Sequence, residues 1–129
     1  MLDILIADDN PNIRQLLRTY LETQTNVRVC GEAHSGADAL EKAKSLKPDV
    51  VVLDLAMPML NGIEAASVLK RSLPNSRVVL FTMKVDGLGK SLASAIGIDF
   101  VLSKEESIHK LADYIKSLAP QPEAEALPS

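Results

Sequence analysis

The sequence predicts one α/β domain in which helices cover both faces of a parallel five-stranded sheet. Short apolar runs alternate with longer segments that carry the apolar period of an α-helix, and this alternation repeats along the chain. The run from Asp49 to Leu53 is almost wholly apolar, as expected of a central strand that is buried on both faces. With right-handed crossovers, this pattern favours a doubly wound (βα)5 fold with strand order 2-1-3-4-5.

The first half of the chain predicts three strands and two helices. We expect the first strand at Leu2 to Ala7, and a first helix with Asn10 as its N-cap and Pro11 as its first residue. The second strand, Val27 to Ala33, alternates with polar residues and is expected at a sheet edge, and Pro48 ends the second helix. The predicted buried faces are Ile13, Leu16, Leu17, Tyr20 and Leu21 in the first helix, and Ala37, Leu40, Ala43 and Leu46 in the second.

The second half continues the alternation of strands and helices. The predicted elements are a helix from Gly62 to Leu73, a strand from Arg77 to Phe81, a helix from Val85 to Ile96, a strand from Asp99 to Leu102 and a helix from Glu105 to Leu118. The helix from Val85 is weak, because each of its two glycines costs about 1 kcal/mol relative to alanine. We expect a domain over residues 1–118, and a disordered tail or the start of a linker over the proline-rich residues 119–129.

Composition excludes several classes of protein. The chain has 129 residues, 47% of them hydrophobic, and a net charge of −3, without the basic run that direct binding of nucleic acid by this domain would need. The single cysteine, Cys30, allows no intrachain disulfide. No signal peptide is visible, and no apolar run approaches the roughly 20 residues of a membrane span. We therefore expect a cytoplasmic domain that does not enter a membrane.

Polar residues follow four of the predicted strands at the point where each strand ends. Asp8 and Asp9 follow the first strand, Asp54 the third, Thr82 the fourth and Lys104 the fifth. Taken singly, each has an ordinary explanation as a turn, capping or surface residue. Because the carboxyl ends of parallel strands share one edge, all five are expected in one crevice. Carboxylates suit Mg²⁺, and a lysine and a hydroxyl suit a phosphoryl group, so the set predicts a phosphate-and-metal site.

With Met57, Pro58 and Gly62, which follow Asp54, these residues resemble the receiver domain of two-component response regulators, which has the flavodoxin-like form of the doubly wound fold. The stretch from Lys47 to Pro58 is especially typical of that family. The resemblance spans residues 1 to about 118. It implies a phosphoacceptor at Asp54, served by a sensor histidine kinase or a phosphotransfer protein. Such a domain is not an enzyme in the usual sense, because it catalyses only its own phosphorylation and dephosphorylation.

The resemblance also implies a Mg²⁺ site. Asp9 and Asp54 would bind the ion directly, Asp8 would act through a bound water, and the backbone carbonyl of Ala56 would be a further ligand. Lys104 would neutralise a phosphoryl oxygen, as a compact positive charge can. Without the metal, the clustered carboxylates should repel one another and raise the pKa of at least one of them.

The resemblance assigns signalling to Thr82, whose hydroxyl would contact the phosphoryl group. Its response would change the surface formed by the segment from Val85 to Ile96, the fifth strand and the helix from Glu105. A downstream output domain or protein would read this surface, and a homodimer could form through it. Val101 stands where many receivers carry a switch aromatic, whereas Phe100 lies on the opposite face of the strand, which leaves the usual aromatic readout open.

Three other functions fit the sequence less well. A Mg²⁺-dependent phosphatase with an aspartyl nucleophile, the main alternative, usually has a second aspartate two residues after its nucleophile, where this chain has Asn10. A flavin-binding protein of the same topology would need a Ser/Thr/Gly phosphate loop, and Asp8 and Asp9 would repel the phosphate. A DNA-binding regulator would need a helix-turn-helix after residue 118, although a lost output domain stays open.

Overall fold

The computed structural model describes residues 1–54, 62–82, 94–104 and 108–118. Its strands form one five-stranded sheet in the order β2-β1-β3-β4-β5, with parallel pairing throughout, which confirms the predicted topology. The elements are β1 (Leu2–Ala7), α1 (Pro11–Leu21), β2 (Val27–Ala33), α2 (Gly36–Leu46), β3 (Val50–Leu53), α3 (Gly62–Ser72), β4 (Arg77–Thr82), β5 (Phe100–Ser103) and a last helix (Ile108–Leu118). Most of the predicted helix from Val85, the start of the last helix and the tail 119–129 lie outside the described residues.

The core consists of two apolar layers, one on each face of the sheet. All four residues of β3 are buried, and they alternate between the layers: Val50 and Val52 face one, Val51 and Leu53 the other. The first layer is covered by α1 and the last helix, and the second by α2 and α3. Burial on both faces explains why β3 is apolar throughout. Among the described helices, none combines the length and the apolar character that crossing a membrane requires.

The predicted caps are present, but the predicted helix faces are partly wrong. The Asn10 side chain accepts a hydrogen bond from the Asn12 N–H at 2.9 Å, and Pro11 begins α1. Leu16 is 54% exposed and Leu46 41% exposed, and Ala37 is also exposed. The buried face of each helix is narrower than the face that its apolar pattern predicts, because each helix contacts the sheet along a line and residues beside that line face water. The fully buried helical residues are Leu17 and Leu21 in α1, and Gly36, Ala39 and Ala43 in α2.

The two residues in the middle of the predicted fifth strand point to opposite faces of the sheet, as expected. The Phe100 ring stacks on Tyr114 of the last helix, with ring centroids 4.4 Å apart and ring planes 8° from parallel. Val101 packs instead against the layer under α2 and α3. The aromatic side chain of β5 therefore belongs to the interface with the last helix.

Candidate functional site

Four strands deliver polar residues to the carboxyl edge of the sheet. Asp8 and Asp54 come directly after β1 and β3, and the Asp54 N–H donates to the Ala7 carbonyl at 2.9 Å, which fixes the two strand ends side by side. Thr82 is the last residue of β4 and is paired in register with Ser103 of β5, so Lys104 follows beside it. The convergence that the sequence predicts is therefore present for the residues at these four strand ends.

The three carboxylates form one cluster. Oxygen atoms of Asp8, Asp9 and Asp54 all lie within 4.8 Å of one another. Asp8 and Asp54 are buried, whereas Asp9 is exposed and faces the solvent from which an ion would enter. A set of carboxylate oxygens at this spacing fits a hard cation such as Mg²⁺. Ala56, predicted as a further ligand through its carbonyl, lies outside the described residues.

Lys104 lies between the two buried carboxylates. Its Nζ is 2.6 Å from Asp8 Oδ2 and 3.4 Å from Asp54 Oδ2. The Lys104 side chain is only 9% exposed, so the ammonium is largely removed from water together with its partners. Such an arrangement is stable only when the buried charges compensate one another. Lys104 therefore supplies the positive charge that lets two carboxylates share this crevice.

Asp8 is fixed through both its backbone and its side chain. Its N–H donates to the Ala33 carbonyl at 3.0 Å, its Oδ1 accepts from the Asn10 N–H at 2.9 Å, and its own carbonyl accepts from Arg14 at 2.7 Å. Burial raises the pKa of Asp8 above its ordinary value; the hydrogen bonds from Lys104 and Asn10 oppose this rise, and the charge of Asp54 adds to it. The expected raised pKa is found, but burial contributes more to it than repulsion does.

Thr82 lies next to these groups. It is only 4% exposed, and its backbone carbonyl accepts a hydrogen bond from the Lys104 N–H. The main chain of Lys104 is thus attached to the end of β4, while its side chain reaches the carboxylates. Any movement of one of these two residues acts directly on the other.

Sequence reasoning missed Arg14 and Glu32. Arg14 of α1 donates to the Asp8 carbonyl and also to Glu32, at 3.1 Å from Nε to Oε1. The position of both residues near the carboxyl edge could have been predicted, since Arg14 lies one helical turn beyond Asn10 and Glu32 is the penultimate residue of β2. Neither residue type by itself suggests a phosphate or metal site.

The fold and the cluster define a class: a doubly wound α/β domain with an acidic oxygen-donor site and a buried lysine at the carboxyl edge of its sheet. Within that class, residues 4–116 match the family model of the response regulator receiver domain. The match covers most of the chain, and the chain therefore belongs to the response regulator receiver domain family of two-component signal transduction.

Relatives and solved structures agree with this assignment. The chain is 37% identical over 113 residues to the response regulator protein VraR of Staphylococcus saprophyticus, covering 88% of the chain and 54% of that protein. The chain thus spans about half the length of the curated relatives it matches. The signal receiver domain of the putative response regulator NarL from Mycobacterium tuberculosis superposes with a TM-score of 0.85 at 27% identity, covering 91% of this chain and 94% of that one. The response regulator domain of Thermotoga maritima CheB gives a TM-score of 0.79 at 29% identity, with 92% of each chain covered.

These matches identify a receiver domain and give no support to the alternative of an aspartyl-nucleophile phosphatase.

Proposed function

We propose that Asp54 is the phosphoacceptor of this receiver domain and takes its phosphoryl group from a phosphohistidine of a sensor histidine kinase or a phosphotransfer protein. The observation that supports this most directly is the position of Asp54. It directly follows β3, all of whose residues are buried, with the Lys104 ammonium 3.4 Å from its carboxylate and the oxygens of Asp8 and Asp9 within 4.8 Å.

The reaction needs positioning and charge neutralisation more than covalent chemistry by the protein. One Asp54 oxygen bonds to phosphorus while the bond from phosphorus to the donor nitrogen breaks, which leaves an acyl phosphate on Asp54 and returns the electron pair to the imidazole. Both reactants carry negative charge, so the rate depends on groups that neutralise the phosphoryl oxygens. Lys104 can supply one such charge from its present position. Mg²⁺ held by Asp9 and Asp54 would supply the other, by neutralising negative charge on the phosphoryl group.

We assign direct metal binding to Asp9 and Asp54, an outer role through a water to Asp8, and a further ligand to the Ala56 carbonyl. The outer role of Asp8 is supported by its hydrogen bonds, because both of its carboxylate oxygens already accept one, from Asn10 and from Lys104. Asp9 is exposed, which suits a residue that meets an ion arriving from solvent.

We further propose that Thr82 converts phosphorylation into a conformational signal. A phosphoryl group adds roughly −1.5 to −2 charges and strong acceptor oxygens, which attract a nearby hydroxyl. Thr82 is buried beside this site, and its link to the Lys104 main chain would pass a movement into β5. The surface of the segment from Val85 to Ile96, β5 and the last helix would then change.

The partner on the output side is an output domain or protein, or a second copy bound through the same surface. The greater length of the curated relatives favours an output domain in the same chain. On this proposal residues 1–118 are the switch, 119–129 begin a linker, and the domain acts in the cytoplasm and catalyses only its own phosphorylation and dephosphorylation.

Phosphorylation is tested by incubating the protein with Mg²⁺ and acetyl phosphate and measuring its intact mass. The parent should gain the mass of one phosphoryl group, and Asp54→Ala should gain none. Asp49→Ala is the matched control, because Asp49 stands just before β3 at the opposite edge of the sheet. It should be modified like the parent. Equal labelling of Asp54→Ala and the parent would show that the acceptor is another residue.

A further inference from the structure

The loop that carries Asp8 and Asp9 is held from outside the acidic cluster by one side chain. Arg14 of α1 donates from Nη1 to the backbone carbonyl of Asp8 at 2.7 Å. Its Nε donates to Glu32 Oε1 at 3.1 Å, and the Arg14 side chain is only 19% exposed. The planar guanidinium can make both bonds at once, because its donors form a rigid fork. Arg14 therefore connects β2 to the peptide that joins the two aspartates.

Glu32 is well placed to fix the direction of Arg14. A register shift between Ile4 and Leu5 of β1 brings Glu32 beside Ile6, near the carboxyl end of β1. Its second oxygen accepts from Arg18 Nε at 2.7 Å. Burial raises the pKa of Glu32, but the hydrogen bonds and charges of the two arginines outweigh this and leave the pKa below its ordinary value. Glu32 is thus an anion that holds the arginine in one orientation.

The carbonyl that Arg14 holds belongs to the peptide between Asp8 and Asp9. Because a peptide unit is planar, fixing its oxygen also fixes the direction in which the chain reaches the Asp9 Cα. The side chain of Asp8 is already fixed by Asn10 and Lys104. The exposed Asp9 is therefore the carboxylate whose place in the cluster depends most on this peptide.

We propose that Arg14, oriented by Glu32, is a positioning residue that sets the Asp8–Asp9 peptide so that the Asp9 carboxylate meets the other metal-binding oxygens. This inference rests on the proposed function, in which Asp9 is a direct ligand of Mg²⁺. For the effect of Arg14 on Mg²⁺ affinity, it predicts the opposite sign from a simple charge effect. As a positive charge near the site, Arg14 would weaken Mg²⁺ binding, whereas as a positioning residue it strengthens it.

The test measures Mg²⁺ affinity by amide chemical-shift titration in two variants. Arg14→Met removes the charge, and Arg14→Lys keeps the charge but has no fork to reach both partners. Both should bind Mg²⁺ about tenfold more weakly, the lower end of the effect of removing groups that orient metal ligands. Arg18→Met is the matched control, since Arg18 also pairs with Glu32 but makes its other ion pair with Glu22. It should bind Mg²⁺ like the parent.

A second measurement does not depend on the metal. Without Mg²⁺, the amides of Asp9 and Asn10 should exchange hydrogen faster in both Arg14 variants and at the parental rate in Arg18→Met. Glu32→Gln, which retains an acceptor oxygen but loses the charge, should fall between the parent and the Arg14 variants in both measurements.

The outcomes separate three explanations. Tighter Mg²⁺ binding by Arg14→Met, with parental binding by Arg14→Lys, would mean that Arg14 acts only as a charge and would overturn the inference. Parental affinity with a lowered melting temperature would reduce Arg14 to a structural role and overturn it equally. The proposed metal site is checked separately with Asp9→Ala. Parental Mg²⁺ affinity in that variant would overturn the metal assignment and, with it, this inference.

Discussion

Replacing Lys104 by methionine is the sharpest test of the electrostatics of the site. The substitution keeps a long apolar stem and removes a charge that is 2.6 Å from Asp8 and 3.4 Å from Asp54. Removing one partner of a buried ion pair costs about 3–5 kcal/mol, because the remaining charge is left without compensation. Protonation of Asp8 and entry of water beside the exposed Asp9 should offset part of this. We therefore expect Lys104→Met to lower the free energy of unfolding by about 2–3 kcal/mol near pH 8.

The loss of stability in Lys104→Met should increase as the pH rises. Lys104 lowers the pKa of Asp8 against the stronger effect of burial, so the variant should have a still higher pKa there. The native variant then binds a proton more readily than the unfolded chain, and its stability falls as pH rises through the raised pKa. The difference between parent and variant should therefore be largest near pH 8 and should shrink toward about pH 4, the ordinary pKa of an aspartate. On the proposed function, Mg²⁺ should also restore part of the lost stability, since it replaces the missing charge.

Urea unfolding followed by circular dichroism measures these effects in a chain that has no tryptophan. Lys70→Met provides a matched control, because Lys70 makes a half-buried ion pair with Asp99 at 3.1 Å, away from the acidic cluster. The control variant should be less stable than the parent. Mg²⁺ should stabilise it no more than it stabilises the parent. A loss in Lys104→Met that is independent of pH, or equal Mg²⁺ rescue in the two variants, would refute the reasoning.

Two further variants test the neighbouring residues. Asp8→Asn should gain stability relative to the parent as pH rises, because the folded pKa of Asp8 is raised and its ionisation costs free energy that asparagine does not incur. Urea unfolding over a pH series measures this. A difference in the free energy of unfolding that does not change with pH would contradict it. Thr82→Ala should still be phosphorylated on Asp54 but should lose most of the response of β5 and the last helix to beryllofluoride. Hydrogen exchange with and without the mimic measures that response, and equal responses in parent and variant would show that Thr82 is not the switch.

The topology could be predicted because it depends on short-range signals. A few neighbouring residues are enough to indicate an apolar strand such as β3, the N-cap at Asn10 and the end of the second helix before Pro48. The errors fall where burial depends on distance from the sheet. Leu16 satisfies the helical period and is nevertheless exposed. Leu46 lies over Gly31, where a Cβ would come within 2.8 Å of its Cδ1, and it still leaves much of its surface in water.

The same distinction applies to the site. Convergence of Asp8, Asp54, Thr82 and Lys104 follows from parallel topology alone, so the sequence could predict it. The contact of Arg14 with the Asp8 carbonyl could not be predicted in this way. It depends on the register shift in the β1–β2 pair and on the direction of two long side chains, neither of which leaves a pattern in the sequence. Burial as the main cause of the raised pKa of Asp8 is likewise a property of the assembled site.

On the proposed function, Lys104 would connect the phosphoryl chemistry of the site with its signal. In the described state its ammonium is closest to Asp8, and its main chain is bonded to Thr82 at the end of β4. On the proposed function, a phosphoryl group on Asp54 offers this ammonium a more highly charged partner, so the contact with Asp8 should weaken and the end of β5 should move with it. Phe100 of β5 stacks on Tyr114, so such a movement would reach the last helix even though position 101 holds a valine. On the proposed function, Phe100 would therefore link β5 to the last helix, on the face of the sheet opposite to Val101.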